Sequence, residues 1–318
     1  MTGNQKFNVP DCKHFTGYKP CFPGTNCLDE CVEPQPRGTK ILIINLEAMG
    51  NVLVTTSLLP AIKQKYKQST IYWITLKNAY RLLDNNPLID KVLIWEPESW
   101  LKLQTLQFDI VMNIDKSQQA GAFIMSLQAK KKLGYGLNKD GVIIPLNKEA
   151  EYNYRLGLDD NLKFRINQKP NTQLLIEAMG LKWQRDEYIL NLTEEELLFS
   201  NNYKQQNLKS QISNPKSHTI VGFNTGCSLL YPNKKMTIDQ HVVLINELSK
   251  KKDLMLVLLG GPEDTERNAE IVRRVGDKVI STPTTEGLRK GICFEQICDV
   301  VISGDSFGMH VAIALKKY

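Results

Sequence analysis

The chain has 318 residues, of which 42% are hydrophobic and 23% charged, and this ordinary balance excludes a disordered or low-complexity protein. The length exceeds what one hydrophobic core usually fills, so we expect two domains. The net charge of +6 suits an anionic nucleotide or a membrane surface, although charges scattered over a solvated surface explain it equally well.

Membrane insertion and secretion are not expected. No apolar run approaches the roughly 20 residues that a membrane-spanning helix needs, and the N-terminal MTGNQKFNVPDCKHF lacks the hydrophobic stretch of a signal peptide. We therefore expect a cytoplasmic protein, with at most a peripheral contact with the inner membrane. No internal repeat at solenoid spacing is present.

The segment 1–37 holds four of the seven cysteines and is rich in Gly, Pro and charged residues. In a reducing compartment, clustered cysteines more often hold a metal than form disulfides. Four thiolates can surround zinc or iron, and a small segment with few apolar residues gains stability from such a site. Redox-active or merely reduced thiols are the alternative, and His14 could replace one sulfur. The predicted metal ligands are Cys12, Cys21, Cys27 and Cys31.

The residues 38–200 alternate between predicted strands and helices. Strands are predicted at 40–45, 70–75, 91–95 and 109–114, and helices at 51–67 and 77–85. Such alternation indicates parallel strands with crossover helices, as in a Rossmann-like domain. At its start, an apolar strand passes through Gly50-Asn51 into a helix, whose N-terminus offers backbone N–H groups to an anionic or polar ligand.

The polar residues 201–217 are the predicted linker to a second domain, 218–318. Its strands are predicted at 218–223, 254–259, 278–280 and 299–302, and its helices at 237–251, 263–274, 286–297 and 306–315. We predict an α/β protein of two Rossmann-like domains that face a central cleft. Neither half has a Gly-x-Gly-x-x-Gly fingerprint or a Walker phosphate loop, which argues against a dehydrogenase or a P-loop enzyme.

Four segments carry a resemblance to a known family. In chain order they are KILIINLEAMGNVLVTTSLLPAIK, VGFNTGCSLLYPNKKMT, LMLVLLGGPEDTERN and CDVVISGDSFGMHVAIAL. Together they resemble glycosyltransferase family 9, the ADP-heptose:lipopolysaccharide heptosyltransferases, from about Lys40 to the last residue. The cysteine-bearing leader is similar to one found in only some members. The family normally continues past the last segment with a further strand and helix, so we expect the second domain to be truncated at Tyr318.

The resemblance implies a GT-B fold and an inverting transfer of heptose from a nucleotide donor, ADP-heptose, to a lipopolysaccharide-core or protein acceptor. No metal at the reaction centre and no nucleic-acid partner are expected. Positive charges and N–H groups have to meet the departing diphosphate, because negative charge grows there in the transition state. The residues that match the family's donor-binding positions are Thr225, Gly226, Lys234, Lys235, Glu263, Asp264, Asp305, Ser306, Gly308, Met309 and His310.

Individual roles follow from the same match. Lys234 and Lys235 stand where the family keeps a basic pair near the phosphates, and Asp305 matches the aspartate that contacts the sugar. Glu263 or Asp264 falls near the usual ribose-binding carboxylate. Structural explanations compete with these roles: the lysines could be solvated surface charges, Asp305 could cap the helix that follows it, and the histidine of the last motif could be a core residue.

The catalytic base is the main departure from the family. Where the family usually has a Gly-Asp pair carrying the presumed base, this chain has Asn51, whose neutral amide cannot accept a proton at physiological pH. Two carboxylates could replace it: Glu47 on the same loop, which we prefer, and Asp115 after the strand 109–114. If neither serves, the chain is a sugar-nucleotide-binding or regulatory protein with impaired catalysis. Cys227 has no histidine that the sequence can place nearby, which argues against a nucleophilic cysteine.

Overall fold

The computed structural model describes residues 8–29, 31, 33–208, 219–228 and 230–318. The chain divides into two compact units, each containing a sheet built mainly of parallel strands. Two segments from the first half of the chain, one of which contains the helix after the first strand, belong to the same unit as the C-terminal half. The first unit comprises Met1–Asn45, Leu58–Ile74 and Leu88–Gln184, and the second comprises Leu46–Ser57, Thr75–Pro87 and Arg185–Tyr318.

The sheet of the first unit has six strands. They are β1 Thr39–Ile44, β2 Ser69–Thr75, β3 Lys91–Ile94, β4 Gln107–Asn113, β5 Gln128–Leu137 and β6 Ile143–Pro145. The spatial order is β3-β2-β1-β4-β5-β6, in which β1 lies parallel to β2 and β4, β4 lies parallel to β5, and β6 pairs antiparallel with β5. The last four residues of β1, Ile41 to Ile44, are fully buried, as expected for a central strand covered on both faces.

The helices of the first 203 residues are α1 Met49–Thr55, α2 Leu58–Lys65, α3 Pro97–Thr105, α4 Gln118–Ser126, α5 Glu151–Arg155, α6 Asn171–Ala178 and α7 Glu194–Tyr203. The helix predicted at 51–67 is in fact two helices, α1 and α2. They are separated at Thr56 and Ser57, whose hydroxyls donate hydrogen bonds to Leu53 O and Val54 O. Such local side-chain bonds compete with the regular helical pattern, which explains the break.

Strand β5 was not predicted, because three successive lysines, Lys130–Lys132, interrupt any apolar alternation. The strand forms through its pairing with β4. Its backbone at Gly134 has a φ of +91°, and a Cβ there would lie 2.0 Å from Asn113 O, so that only glycine fits. Lys130 also pairs with Asp109 of β4 at 2.8 Å.

The sheet of the second unit has four strands, β7 Thr219–Asn224, β8 Leu254–Leu259, β9 Ile280–Ser281 and β10 Val300–Ser303. All pairs are parallel and the order is β10-β7-β8-β9. The helices are α8 Ile238–Leu248, α9 Thr265–Val275, α10 Leu288–Gln296 and α11 Phe307–Ala314. The predicted alternation of this half is therefore confirmed.

Both faces of this second sheet are covered. Neighbouring residues of β7 belong to different core clusters: Ile220 packs with Val257 and Phe294, whereas Val221 packs with Leu256. This alternation follows from the period of two in a strand, and it explains why β8 reads as a continuous apolar run.

The predicted linker, 201–217, is helical over its described part: α7 ends at Tyr203 and a wider helical turn, Lys204–Leu208, follows. Residues 209–218 lie outside the described part of the chain. Among the described residues, none of the helices has the length and apolar character needed to cross a bilayer.

Candidate functional site

Three loops of the second unit follow the carboxyl ends of neighbouring strands. They are residues 225–228 and 230–235 after β7, 260–264 after β8, and 304–306 between β10 and α11. Because the carboxyl ends of parallel strands share one edge of a sheet, ligands of open α/β sheets bind there. All the residues predicted to bind the donor lie on these loops or in the first turns of α11.

Lys234 and Asp305 come together although 71 residues separate them, and Lys234 Nζ lies 2.6 Å from Asp305 Oδ2. Their hydrogen bond raises the pKa of Lys234 and lowers the pKa of Asp305. Asp305 does not cap α11, whose N-cap residue is Ser306. The two side chains remain 43% and 64% exposed, so a ligand can reach both.

The main chains of these two loops also touch. A Cβ at Gly304 would lie 1.8 Å from Lys234 O, a distance that only glycine permits. Lys235, next to this contact, is half-buried. The backbone therefore fixes where the basic pair stands relative to the loop that carries Asp305.

Asn224, the last residue of β7, connects two loops of the site. Its Nδ2 lies 2.9 Å from Ser303 Oγ and 2.7 Å from Ser306 Oγ. A Cβ at Gly308 would come within 2.5 Å of the Asn224 amide, so the start of α11 packs directly on it. Sequence reasoning missed this residue; its signal is a single polar side chain that ends a buried strand.

The Thr225 side chain faces the protein interior. The residue is fully buried, and its hydroxyl lies 2.6 Å from Asn268 Oδ1 and 3.1 Å from Leu259 O. The hydroxyl thus holds the loop after β7 against β8 and α9. The Thr225 hydroxyl is thus already used within the protein.

Asp264 is likewise turned inward. It is only 6% exposed, and its Oδ2 accepts a hydrogen bond of 3.0 Å from Gly261 N. A Cβ at Gly226 would lie 2.1 Å from the same oxygen, so the two loops pack closely here. Of the two carboxylates predicted for the ribose, only Glu263 is exposed.

His310 lies on α11 and packs against α1. A Cβ at Gly50 would lie 2.6 Å from His310 Cδ2, and the Tyr188 ring centroid is 6.0 Å from the imidazole centroid. Burial lowers the pKa of His310, although Asp305 opposes that shift. Among the described residues, the buried Nδ1 atom has no hydrogen-bond partner.

The three candidates for the catalytic position differ in environment. Glu47 follows β1 by three residues and is exposed, and Asn51, the third residue of α1, is exposed as well. Asp115 follows β4 but is only 7% exposed, and its Oδ1 accepts a hydrogen bond of 2.8 Å from Ser117 N. Asp115 therefore shapes the turn before α4, whereas Glu47 is open to solvent.

The predicted metal site is not formed by the described residues. Among them, no group of three or more His, Cys, Asp or Glu side chains is placed to share an ion. His14, the predicted alternative ligand, instead pairs through its Nε2 with Gln35 Oε1 at 3.2 Å. All four thiols are free: Cys12 is buried, Cys21 is exposed, and Cys27 and Cys31 are half-buried.

The thiol of Cys12 nevertheless has a shifted pKa. Burial raises the pKa of the Cys12 thiol, but hydrogen bonds with the backbone at Gln35 and His14 outweigh it and the pKa is lowered overall. Backbone groups and the charge of Arg37 produce this shift, and no neighbouring cysteine contributes to it. The residues present do not fit a four-thiolate centre.

Comparison with known protein families identifies the family of this chain. The model of glycosyltransferase family 9 (heptosyltransferase) matches residues 98–318. The chain belongs to this family. It is therefore a transferase enzyme, as the sequence motifs predicted.

Two relatives of known description are similar over most of the chain. One is the lipopolysaccharide core heptosyltransferase OpsX of Haemophilus influenzae, which is 21% identical over 285 residues, covering 86% of this chain and 75% of the relative. The other is lipopolysaccharide heptosyltransferase 1 of Campylobacter coli, which is 23% identical over 298 residues, covering 87% and 82%.

Solved structures of the family share the fold. The family 9 glycosyl transferase of Veillonella parvula superposes with a TM-score of 0.70 at 18% identity, covering 88% of this chain and 79% of that one. The ADP-heptose lps heptosyltransferase II of E. coli superposes with a TM-score of 0.63 at 19% identity, covering 88% and 83%. The predicted α/β fold of the GT-B heptosyltransferases is confirmed.

Proposed function

We propose that this family 9 enzyme transfers a heptose, with inversion, from ADP-heptose to an acceptor in the lipopolysaccharide core. The observation that carries the proposal is the exposed Lys234–Asp305 pair at the carboxyl edge of the second sheet. At that edge, a cation could bind a diphosphate, and a carboxylate on a separate loop could accept hydrogen bonds from sugar hydroxyls. The heptose and the lipopolysaccharide acceptor are taken from the relatives, which are described as lipopolysaccharide heptosyltransferases. ADP-heptose is taken from the description of the solved E. coli enzyme.

The donor would be held by the loops around this pair. Lys234 would exchange part of its contact with Asp305 for the diphosphate, and Asp305 would then accept hydrogen bonds from sugar hydroxyls. The first turn of α11 adds backbone N–H groups, and His310 Nδ1 is a buried polar atom without a described partner. Glu263 is the exposed carboxylate available to the ribose.

The chemical step needs a base and charge stabilisation. Glu47 would remove the proton from an acceptor hydroxyl, whose oxygen attacks the anomeric carbon on the face opposite the diphosphate. The bond between the anomeric carbon and the phosphate oxygen breaks, and the electron pair leaves with the diphosphate. Lys234 and Lys235 would stabilise the charge that grows on the departing group, which lowers the barrier.

Asn51 raises the alternative of a protein that binds the sugar nucleotide without transferring the sugar. Asn51 stands where the family usually has the presumed base, and an amide takes up no proton near neutral pH. A chain that kept the donor loops but lost the base would bind the sugar nucleotide without transferring the sugar. Such a protein would act as a binding or regulatory component.

The test uses the full chain with ADP-heptose and heptose-deficient lipopolysaccharide core. We expect transfer in the wild type and, in Glu47→Gln, a loss of turnover of about 100-fold or more with ADP affinity within twofold. Glu98→Gln is the matched control, because Glu98 is an exposed glutamate on α3. Unchanged turnover in Glu47→Gln removes Glu47 from the role and makes Asp115→Asn the next variant.

Other outcomes separate the two functions. Tight donor binding with neither transfer nor hydrolysis in the wild type supports the binding protein. Transfer to a protein and not to the lipopolysaccharide core would contradict the proposed acceptor while leaving the donor assignment intact. Transfer of another nucleotide-activated sugar, with ADP-heptose inert, would contradict the donor.

A further inference from the structure

Arg267, in the first turn of α9, contacts the main chain of a different part of the site. Its Nη2 donates a hydrogen bond to Met236 O. Met236 directly follows the basic loop, by which we mean residues 230–235 with Lys234 and Lys235. The contact therefore reaches the main chain one residue beyond the basic pair.

The other two arginines of α9 make a different kind of contact. Arg273 Nε lies 2.7 Å from Glu270 Oε2, and Arg274 Nη1 lies 2.6 Å from Asp239 Oδ1. Each of these ion pairs has a largely exposed partner, so it contributes little to stability. Arg267 instead directs its guanidinium at a carbonyl, and its Nε is buried with no hydrogen-bond partner among the described residues. A guanidinium that gives up water for a main-chain contact indicates a role in holding that main chain.

His241 of α8 supports this guanidinium from the protein interior. The side chain is fully buried, and Nδ1 donates a 2.9 Å hydrogen bond to Thr237 O, since a carbonyl can only accept. Arg267 Nη2 lies 3.5 Å from the same Nδ1, and the Phe223 ring of β7 meets the imidazole edge-on with centroids 6.3 Å apart. Burial lowers the pKa of His241, and the charge of Arg267 lowers it further. The ring is therefore neutral at pH 7 and does not repel the guanidinium.

Arg267 also belongs to the segment that carries Glu263, the exposed carboxylate proposed for the ribose. The turn Pro262–Asp264 leads directly into α9, so Glu263 precedes Arg267 by four residues. On its other side, the basic loop is fixed where Lys234 O packs against Gly304. The hydrogen bond to Met236 thus joins the part of the site that carries the basic pair to the part that carries Glu263.

We propose that Arg267 is a positioning residue that holds the basic loop at the distance from Glu263 that a nucleoside diphosphate requires. The inference rests on the proposed function, because it takes Lys234 and Lys235 to meet the phosphates and Glu263 to meet the ribose. Arg267 acts through Met236 O and not through contact with the ligand. A loop that is held in place before binding loses less conformational entropy when the ligand arrives, which raises the affinity.

Hydrogen exchange and ligand binding with the full chain test the proposal. Arg267→Met removes the guanidinium and keeps an aliphatic stem, whereas Arg267→Lys keeps the charge but not the planar fork. Arg274→Met is the matched control, because Arg274 lies on the same helix and reaches α8 only through its ion pair with Asp239. Amide exchange is measured without ligand over residues 230–236. Isothermal titration gives the affinities for ADP and for AMP, which lacks the second phosphate.

We expect amides 230–236 of Arg267→Met to exchange about tenfold faster than those of the wild type, because a hydrogen bond from a charged group is lost. The ratio of ADP affinity to AMP affinity should fall by about tenfold in Arg267→Met and by about threefold in Arg267→Lys. A general loss of stability lowers both affinities alike and leaves this ratio unchanged. Arg274→Met should match the wild type in exchange over 230–236 and in the affinity ratio.

Three results would overturn the proposal. They are wild-type exchange over 230–236 in Arg267→Met, an unchanged ratio of ADP to AMP affinity in that variant, or equal effects in Arg274→Met. If Arg267→Met does not fold, Arg267→Lys decides by the same two measurements. A wild type that does not bind ADP would contradict the proposed function. The exchange measurement, which is made without ligand, would then decide by itself whether Arg267 holds the basic loop.

Discussion

A Cβ atom at Gly50 would lie 2.6 Å from Cδ2 of His310, closer than such atoms approach in folded proteins. The first motif of the chain, on α1, therefore touches the last motif, on α11, through the one residue type that leaves room for the imidazole. The sequence separates these residues by 260 positions. The contact links α1, which follows the loop that carries Glu47, to α11, which carries three of the predicted donor residues.

Gly50→Ala tests this contact. We expect the free energy of unfolding to fall by about 1–3 kcal/mol, because the added methyl group forces the His310 ring to move, and transfer to fall with it. Urea unfolding and a transfer assay measure both. Gly291→Ala in α10 is the control, since nothing lies within 4 Å of its Cβ position; alanine there should stabilise the helix by about 0.5–1 kcal/mol. A Gly50→Ala protein as stable and active as the wild type would refute the close packing.

Lys234→Met should separate binding from folding. The pair with Asp305 is exposed, so the thermal midpoint should not change measurably. Donor affinity should fall by about 10- to 100-fold, because a charge-assisted hydrogen bond to the diphosphate is lost. Isothermal titration with ADP gives the affinity. Lys250→Met, which removes the exposed partner of Glu247, is the control and should leave ADP binding unchanged. A large loss of stability in Lys234→Met would instead point to a structural ion pair.

Asn224→Ala should loosen the donor loops. The substitution removes the Nδ2 contacts with Ser303 and Ser306, which should cost about 1–2 kcal/mol of folding stability and raise KM for the donor more than it lowers kcat. Steady-state kinetics with varied donor distinguish these effects. Asn207→Ala removes an exposed asparagine whose Nδ2 donates to Tyr203 O and should change neither parameter. A fall in kcat alone would contradict a positioning role.

Arg289→Met should destabilise the second unit. Arg289 is only 8% exposed; its Nε donates to Glu196 Oε1 at 2.7 Å and its Nη2 donates to Asn191 O at 2.8 Å. Removing the guanidinium leaves the Glu196 carboxylate without its charged partner, at a cost of about 3 kcal/mol, although Thr193 N still donates a hydrogen bond to it. Urea unfolding at pH 7 measures the loss. Arg273→Met, at the exposed pair with Glu270, is the control and should have no measurable effect.

The same pair predicts a pH dependence. The hydrogen bond from Arg289 lowers the pKa of Glu196 below its ordinary value of 4.5. The stability that this shift contributes is fully present above the unfolded-state pKa and is lost as the pH falls through the folded-state pKa. Between pH 7 and pH 3, the difference in unfolding free energy between the wild type and Arg289→Met should therefore shrink. A constant difference over that range would contradict the assignment.

The strands of the second unit could be predicted from the sequence because both faces of the sheet are covered. The run from Leu254 to Leu259 is apolar throughout, and its predicted ends agree with β8. Strand β5 could not be predicted, since Lys130–Lys132 resemble a surface loop and only the pairing with β4 makes them a strand. The Thr56-Ser57 break between α1 and α2 was missed for a similar reason, because it depends on local hydroxyl contacts.

The sequence motifs indicate residues that the fold brings to one edge of the second sheet, but they do not indicate which way each side chain turns. The motifs placed Lys234 and Asp305 together, and the structure brings them within a hydrogen bond. They also suggested Thr225 and Asp264 as ligand contacts, yet both side chains point inward to hold loops. Asn224 belongs to no motif. The direction of a loop side chain depends on contacts with residues that are distant in the sequence. Such contacts cannot be read from one sequence alone.

The backbone contact between Gly304 and Lys234 O fixes the spacing of two loops of the site without using their side chains. Because main-chain atoms set the spacing of the two loops, the side chains at their tips can be exchanged while the geometry that aims them persists. An enzyme built in this way can acquire a preference for a different activated sugar through a few surface substitutions, without rebuilding its interior.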